Sequence, residues 1–232
     1  IIITMSFVIY LIPGMFGAPL KALAGYFPPQ ETIDFDINRI VRDNAKEIMK
    51  SGVQVGGTQG AASAASNEPV KYSDFLPHGL DGYFDYDQAL KAAQAQDKPL
   101  FIDFTGHGCV NCREMEQSVW SDPRVLEMLK NDYIIVALYV DDKTKLPAEE
   151  VYVSEYDGKK KNTLGKKNTD FQIKQFESNA QPNYILLDSR KGNEKVLKPH
   201  VLQPARGYNK DRDAFVKFLQ DGLKEYKARA GK

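Results

Sequence analysis

The chain has 232 residues, 42% hydrophobic and 27% charged, which is a globular composition and excludes wholesale disorder and collagen-like repeats. Its 31 basic and 31 acidic residues cancel, which disfavours a nucleic-acid binder because such proteins usually carry a basic excess. Only two cysteines are present, so a disulfide-stapled mini-fold and a zinc site with four cysteine ligands are also excluded.

The first twenty residues contain no charged side chain. A helix of that length spans about 30 Å, the thickness of the hydrocarbon core of a bilayer. We therefore predict that residues 1–27 are the end of a transmembrane region and that the rest of the chain lies beside or across a membrane. Two alternatives stay open: a signal peptide, for which Ala22-Leu23-Ala24 resembles a cleavage site, and a buried soluble segment.

Residues 28–70 are predicted to connect this segment to the main domain. Within them, residues 51–67 carry no charge and are rich in Gly, Ala and Ser. That composition is typical of a flexible linker and cannot build a core. We place the domain boundary there and assign residues 71–232 to one folded domain.

Strand and helix patterns alternate along this domain. Short apolar runs predict strands at 83–86, 99–104, 133–140, 184–187 and 195–202. Helical patterns follow at 87–96, 109–119, 168–176, from Pro123 onward and around Phe215 to Leu223. Strands that alternate with helices and end in a hairpin and a helix predict an α/β domain with a mixed sheet.

Both cysteines lie in the segment Cys109-Val110-Asn111-Cys112, directly after a predicted buried strand and at the start of a predicted helix. This context indicates a redox pair, because the helix N-terminus stabilises the thiolate that attacks disulfides. We predict that Cys109 is the nucleophile with a lowered pKa. Cys112, one turn further along, is then the more buried resolving cysteine.

Two other interpretations of the cysteine pair are a zinc half-site and an inert disulfide. Zinc would need two more ligands, and His78, His107 and His200 show no recognisable ligand spacing. A structural disulfide gains little from closing so short a loop. No glycine-rich phosphate loop occurs either, so the prediction is a redox pair that uses no metal, flavin or nucleotide cofactor.

The segment resembles a thioredoxin-fold active site and, more narrowly, the C-terminal domain of the DsbD family of thiol:disulfide interchange proteins. The resemblance rests on Cys-Val-x-Cys at 109–112, the charged helical residues 113–116 and the Ser-Asp-Pro turn at 121–123. In that family the soluble domain follows the last helix of a membrane domain, which matches the uncharged start of this chain. The resemblance implies a thioredoxin fold, with a mixed central sheet flanked by helices, over residues 71–232.

The resemblance also implies roles for two acids. Asp103, six residues before Cys109, takes the place of the buried acid beneath the active site, where it can relay a proton for the resolving thiol. Glu116 matches an acid on the active-site helix, four residues after Cys112 and on the same helix face. The alternative for both is an ordinary strand-end or surface carboxylate.

A docking face for partners is implied in the same way. Pro182 matches the cis-proline that faces the dithiol in this fold, and its predecessor is Gln181. Gly108 stands where thioredoxins carry a tryptophan, which removes a flat aromatic surface beside the thiolate. Trp120 is expected to pack in the core. Residues 141–167 are longer than the simple fold needs, and either a solvated insertion or a docking loop fits their charged composition.

The function implied is that of an extracytoplasmic thiol:disulfide oxidoreductase domain. It would accept electrons from a membrane-domain dithiol of the same protein and pass them to disulfide-containing proteins outside the cytoplasm. The implied location is the inner membrane, with the domain on the periplasmic side. The alternatives are an oxidase or isomerase with the same fold, and a binding domain whose cysteine pair is static.

Overall fold

The computed structural model describes residues 2–15, 76–191 and 197–230. The first part is a single helix, α1 (Ile2–Met15), which contains Pro13 and is entirely uncharged. Within the three described ranges no helix combines the length and the apolar character needed to cross a bilayer. Residues 16–27 lie outside these ranges, as do 28–70, so the predicted membrane segment and linker stay predictions.

The domain is built on a sheet of three strands in the order β2-β1-β5. The central strand β1 (Leu100–Thr105) pairs in parallel with β2 (Ile134–Tyr139) and antiparallel with β5 (Asn183–Leu187). Single bridges extend it on both sides, from Tyr83 to β2 and from the segment around Val201 and Arg206 to β5. The predicted mixed sheet is therefore observed.

In the ranges that the structure describes, five helices flank this sheet, and a side chain caps the start of each. They are α2 (Tyr86–Ala95), α3 (Val110–Met115), α4 (Pro123–Asn131), α5 (Leu164–Phe176) and α6 (Arg212–Arg229). The Asp85, Asp122, Thr163 and Asp211 side chains accept from backbone N–H groups of the first turns of α2, α4, α5 and α6. These caps satisfy N–H groups that have no partner within a helix, which fixes where each helix begins.

A hydrophobic core lies on each face of the sheet, because alternate residues of a strand point to opposite sides. On one face Phe101 packs against Trp120, Tyr184 and Phe215, all of which are buried. On the other face the core includes Leu100, Ile102, Phe104, Val136 and Ile185. Asp103 shares the parity of Phe101 and so points to the Trp120 side of β1.

Three predicted elements differ from those observed. Residues 83–86 do not form a strand, because Asp85 caps α2 and the helix begins at Tyr86. The predicted helix at 109–119 divides into α3 and a π-helical turn (Glu116–Trp120). A short 3-10 turn (Lys198–His200), rather than a continuous strand, precedes Val201, and its proline cannot donate to a sheet.

The insertion at 141–167 is folded against α5. It contains a small hairpin of β3 (Tyr152–Val153) and β4 (Lys160–Lys161). The buried Asp170 of α5 accepts from the Tyr152 hydroxyl at 2.8 Å and from the Ser154 hydroxyl, and the Lys161 ammonium lies 3.7 Å from it. The insertion therefore has a buried polar anchor as well as an exposed tip.

Candidate active site

The two cysteines lie side by side at the start of α3 and are joined by a disulfide bond, with their Cα atoms 5.2 Å apart. Cys109 is the residue that caps the helix, and the Cys112 N–H donates to its sulfur at 3.2 Å. Cys109 is half-buried, whereas Cys112 is only 1% exposed. This asymmetry is the one that a nucleophile and a resolving cysteine require.

The helix that carries the pair changes its winding one turn later. The π-helical turn begins at Glu116 and ends at Trp120, which is fully buried against Phe101 and Tyr184. π-helical turns of this kind occur often at functional sites. Trp120 has the packing position expected from the sequence, and it ties the active-site helix to the core.

Asp103 lies in the middle of β1 and is 2% exposed. Its neighbours across the sheet are Ala137 and Tyr184. Burial raises the pKa of Asp103 to about 7, although the positive charge of Arg113 acts in the opposite direction. A carboxyl group with this pKa can both hold and release a proton near neutral pH, which is the property a proton relay needs.

Glu116 is paired with a base on the same helix. The Arg113 guanidinium lies 2.7 Å from the Glu116 carboxylate and donates to the Thr105 hydroxyl at 3.1 Å. Both charged side chains are about 5% exposed. Glu116 is thus an ion-paired acid at the end of α3, and the catalytic role predicted for it stays a prediction.

The Gln181–Pro182 peptide bond is cis, as the resemblance implied. Pro182 comes directly before β5, whose first residue pairs with Phe104 near the C-terminal end of β1. The loop to Cys109 leaves β1 at that same end, so Pro182 and the cysteine pair lie at one edge of the sheet. The docking roles of Gly108, Gln181 and Pro182 stay predictions.

One residue of the site was missed by the sequence analysis. Asp141, two residues after β2, accepts the N–H groups of His107 and Gly108, both at 2.9 Å. The His107 ring stacks on Tyr139 at 4.1 Å between centroids. Because β1 and β2 are parallel, their C-terminal ends lie side by side. The two consecutive aspartates after β2, Asp141 and Asp142, are the sequence signal that could have indicated this contact.

The two cysteines are bonded to each other in this structure. Across the three described stretches no group of three or more His, Cys, Asp or Glu side chains is arranged to hold a metal ion. The His78 Nε2 atom lies 2.7 Å from the Glu116 carbonyl oxygen. His200 is buried beside β5, where its backbone carbonyl accepts from the Asp188 N–H.

Comparisons with known proteins agree with this geometry. Residues 81–189 match the sequence model of a thioredoxin-like family. The thiol:disulfide interchange protein DsbD of Salmonella typhi is 44% identical over 50 residues, which are 22% of this chain and 8% of that protein. DsbD of Campylobacter jejuni strain RM1221 is 25% identical over 126 residues, or 53% of this chain and 22% of that protein.

Two solved structures are also similar, a DsbH oxidoreductase and a thioredoxin from Thermus thermophilus. The first has a TM-score of 0.44 and 18% identity and covers 76% of this chain and 98% of its own. The second has a TM-score of 0.44 and 19% identity and covers 64% of this chain and 91% of its own. The family match and the observed strand order confirm the predicted thioredoxin fold, and the DsbD matches confirm the resemblance in sequence. The matched segments span at most 22% of the length of these DsbD relatives.

Proposed function

We propose that this chain reduces the disulfides of partner proteins outside the cytoplasm, and the match of residues 81–189 to the sequence model of a thioredoxin-like family supports the proposal. The observation that carries the proposal is the asymmetry of the cysteine pair. Cys109 is half-buried at the start of α3, and Cys112 is 1% exposed behind it. An external disulfide can therefore reach the first sulfur but not the second.

The proposed reaction has two exchange steps. The Cys109 thiolate attacks one sulfur of the partner disulfide, forms a mixed disulfide and releases the other partner sulfur as a thiolate. Cys112 then loses its proton and attacks the Cys109 sulfur, which forms the Cys109–Cys112 disulfide and releases the second partner thiolate. Two electrons pass to the partner, and the chain ends in the oxidised state.

Asp103 is the proposed acceptor of the proton that Cys112 loses. It is buried in β1, the strand that leads into the loop before Cys109, and its pKa of about 7 allows it to be ionised in a useful fraction of molecules at neutral pH. Glu116 is the second acid proposed from the resemblance, but its carboxylate is held in an ion pair with Arg113 at 2.7 Å. Asp103 is therefore the stronger candidate of the two.

The electrons would come from a membrane-domain dithiol of the same protein, by the same two steps in reverse. This part of the proposal is supported by the matches to proteins named DsbD and by the uncharged first twenty residues. This part of the proposal has the chain at the inner membrane, with this domain on the periplasmic side. Donor and acceptor would both use Cys109, so they would compete for one face around Gly108, Gln181 and Pro182.

The proposal is tested by trapping partners in a membrane preparation. Cys112→Ser removes the resolving attack, so each partner should remain linked to Cys109 and be identified by mass spectrometry. The matched control Cys109→Ser should trap none. Partners that are all newly secreted, reduced chains would contradict the reductase and support an oxidase.

A redox titration of the full chain against glutathione gives the direction of the reaction independently. A reductase should have a potential well below the value of about −120 mV that is typical of a dedicated oxidant. A potential close to that value would contradict the proposal. A pair that does not exchange with glutathione at all would instead support a static disulfide and a binding role.

A further inference from the structure

We propose that Asp141 is a positioning residue that strengthens the chain as a reductant. Its carboxylate holds the loop in front of Cys109 and places a negative charge against Gly108, the residue bonded to Cys109. The inference rests on the proposed function, because it concerns the tendency of the same cysteine pair to give up electrons. No motif in the sequence assigns this role to Asp141.

Both the Asp141 carboxylate and the loop at residues 106–108 are arranged to make this contact. One carboxylate oxygen of Asp141 accepts the His107 N–H and the other accepts the Gly108 N–H, each at 2.9 Å. On the loop side, a side chain at Gly106 would place its Cβ 3.1 Å from the carboxylate, closer than most real contacts. Glycine at that position therefore lets the carboxylate approach the loop.

The charge of Asp141 lies one residue from the nucleophile, since Gly108 is bonded directly to Cys109. A carboxylate so placed disfavours a second negative charge on the neighbouring sulfur. It also accepts the two N–H groups that precede Cys109, so they do not point at the thiolate. The donor that the structure gives the Cys109 sulfur is the Cys112 N–H at 3.2 Å.

Charged groups other than Asp141 also lie near the cysteine pair. Arg113, on the active-site helix, is 2.7 Å from the Glu116 carboxylate and is neutralised by it. Asp103 is buried in β1. On the exposed side, His107 Nε2 lies 3.9 Å from the Asp142 carboxylate. Of the groups named here, Asp141 is the one whose carboxylate oxygens accept hydrogen bonds from the loop before Cys109.

This arrangement has a definite consequence for the redox equilibrium. Reduction adds two electrons and two protons to the Cys109–Cys112 disulfide, and the resulting dithiol ionises at Cys109. A site that stabilises this thiolate favours the reduced form and makes a strong oxidant. Asp141 does the opposite, so it favours the disulfide form and the transfer of electrons to a partner.

The test uses the full chain and its equilibrium with reduced and oxidised glutathione. Asp141→Asn retains an oxygen that accepts from the loop but removes the charge. We expect the equilibrium constant to shift about three- to tenfold toward the dithiol, where tenfold corresponds to about 30 mV. The rate of Cys109 alkylation, measured against pH, should also show that the Cys109 thiol ionises at a lower pH in this variant than in the unmodified chain. The matched control is Asp132→Asn, which removes the same charge at the opposite end of β2.

Asp141→Ala separates position from charge, because it removes the acceptor oxygens as well. It should shift the equilibrium in the same direction as Asp141→Asn and also slow the formation of mixed disulfides. An unchanged equilibrium and alkylation profile in Asp141→Asn would overturn the inference, and so would an equal shift in Asp132→Asn. Both results leave the exchange activity of the unmodified chain intact, so they are distinct from a failure of the proposed function.

Discussion

The Arg113 guanidinium and the Glu116 carboxylate lie 2.7 Å apart on the helical segment that follows the cysteine pair, with both side chains about 5% exposed. A pair of charges taken out of water is stable only while both partners are present. The pair stands between α3 and the end of β1, because the same guanidinium donates to the Thr105 hydroxyl. Its burial therefore links the helix that carries the cysteines to the strand that carries Asp103.

Removing one member of this pair should destabilise the fold strongly. Arg113→Met leaves the Glu116 carboxylate buried without its counter-charge, and we expect a loss of about 3–5 kcal/mol in the free energy of unfolding. The double variant Arg113→Met with Glu116→Leu should recover most of that loss, because no unpaired charge remains. Urea denaturation of the oxidised chain measures both. A double variant as unstable as the single one would contradict this account of the pair.

The different exposure of the two cysteines predicts different reactivities. In the reduced full chain, an alkylating reagent at neutral pH should label Cys109 several times faster than Cys112, because Cys112 is 1% exposed. Peptide mass spectrometry after short labelling times gives both rates. Cys109→Ser and Cys112→Ser provide the rate of each thiol alone. Equal rates, or faster labelling of Cys112, would overturn the assignment of nucleophile and resolving cysteine.

Much of this site follows from local sequence. A buried strand, two glycines and C-x-x-C predicted where the pair would lie, and the resemblance added Asp103 and the cis bond before Pro182. These features depend on residues close in the chain or on a familiar pattern. The six-residue β1 and β2 were predicted for the same reason, because continuous apolar runs are typical of buried strands.

The features that the sequence did not predict depend mostly on contacts between distant parts of the chain. The hydrogen bonds from the loop to Asp141 span more than thirty residues and could be found only from the parallel pairing of β1 and β2. The spacing of Arg113 and Glu116 was visible, but their burial was not. The change to a π-helical turn at Glu116 has no sequence marker that we can name.

Asp103 should affect the second exchange step more than the first. Asp103→Asn removes the group that accepts the proton from Cys112, so the mixed disulfide should form at nearly the normal rate but resolve at least tenfold more slowly near neutral pH. Stopped-flow measurements with a disulfide peptide separate the two steps. Asp81→Asn, which changes an exposed carboxyl group, is the matched control. Unchanged rates for both steps would make Asp103 a structural residue only.

The insertion should depend on its buried anchor. Asp170→Ala removes the acceptor of the Tyr152 and Ser154 hydroxyls and leaves the buried Lys161 without one of its two carboxylates. We expect a loss of about 1–3 kcal/mol in the free energy of unfolding and earlier proteolytic cleavage at the hairpin tip near Gly158. Lys174→Ala is the control, because its pair with Glu155 is solvent-exposed. Equal resistance of the two variants to protease would contradict the role of Asp170 as an anchor.

The last prediction concerns the stability of the fold as the pH changes. Burial raises the pKa of Asp103 from its ordinary 3.8 to about 7, so the folded chain keeps a proton that the unfolded chain loses above about pH 4. Stability must therefore fall as the pH rises between about 4 and 7 and then level off, with a total contribution of up to about 4 kcal/mol. Asp103→Asn cannot lose a proton, so it should be more stable than the unmodified chain at pH 8, with a difference that shrinks toward pH 5. Chemical denaturation of the oxidised proteins at several pH values, with Asp81→Asn as control, measures this. A constant difference between the two proteins across that range would show that Asp103 does not titrate there.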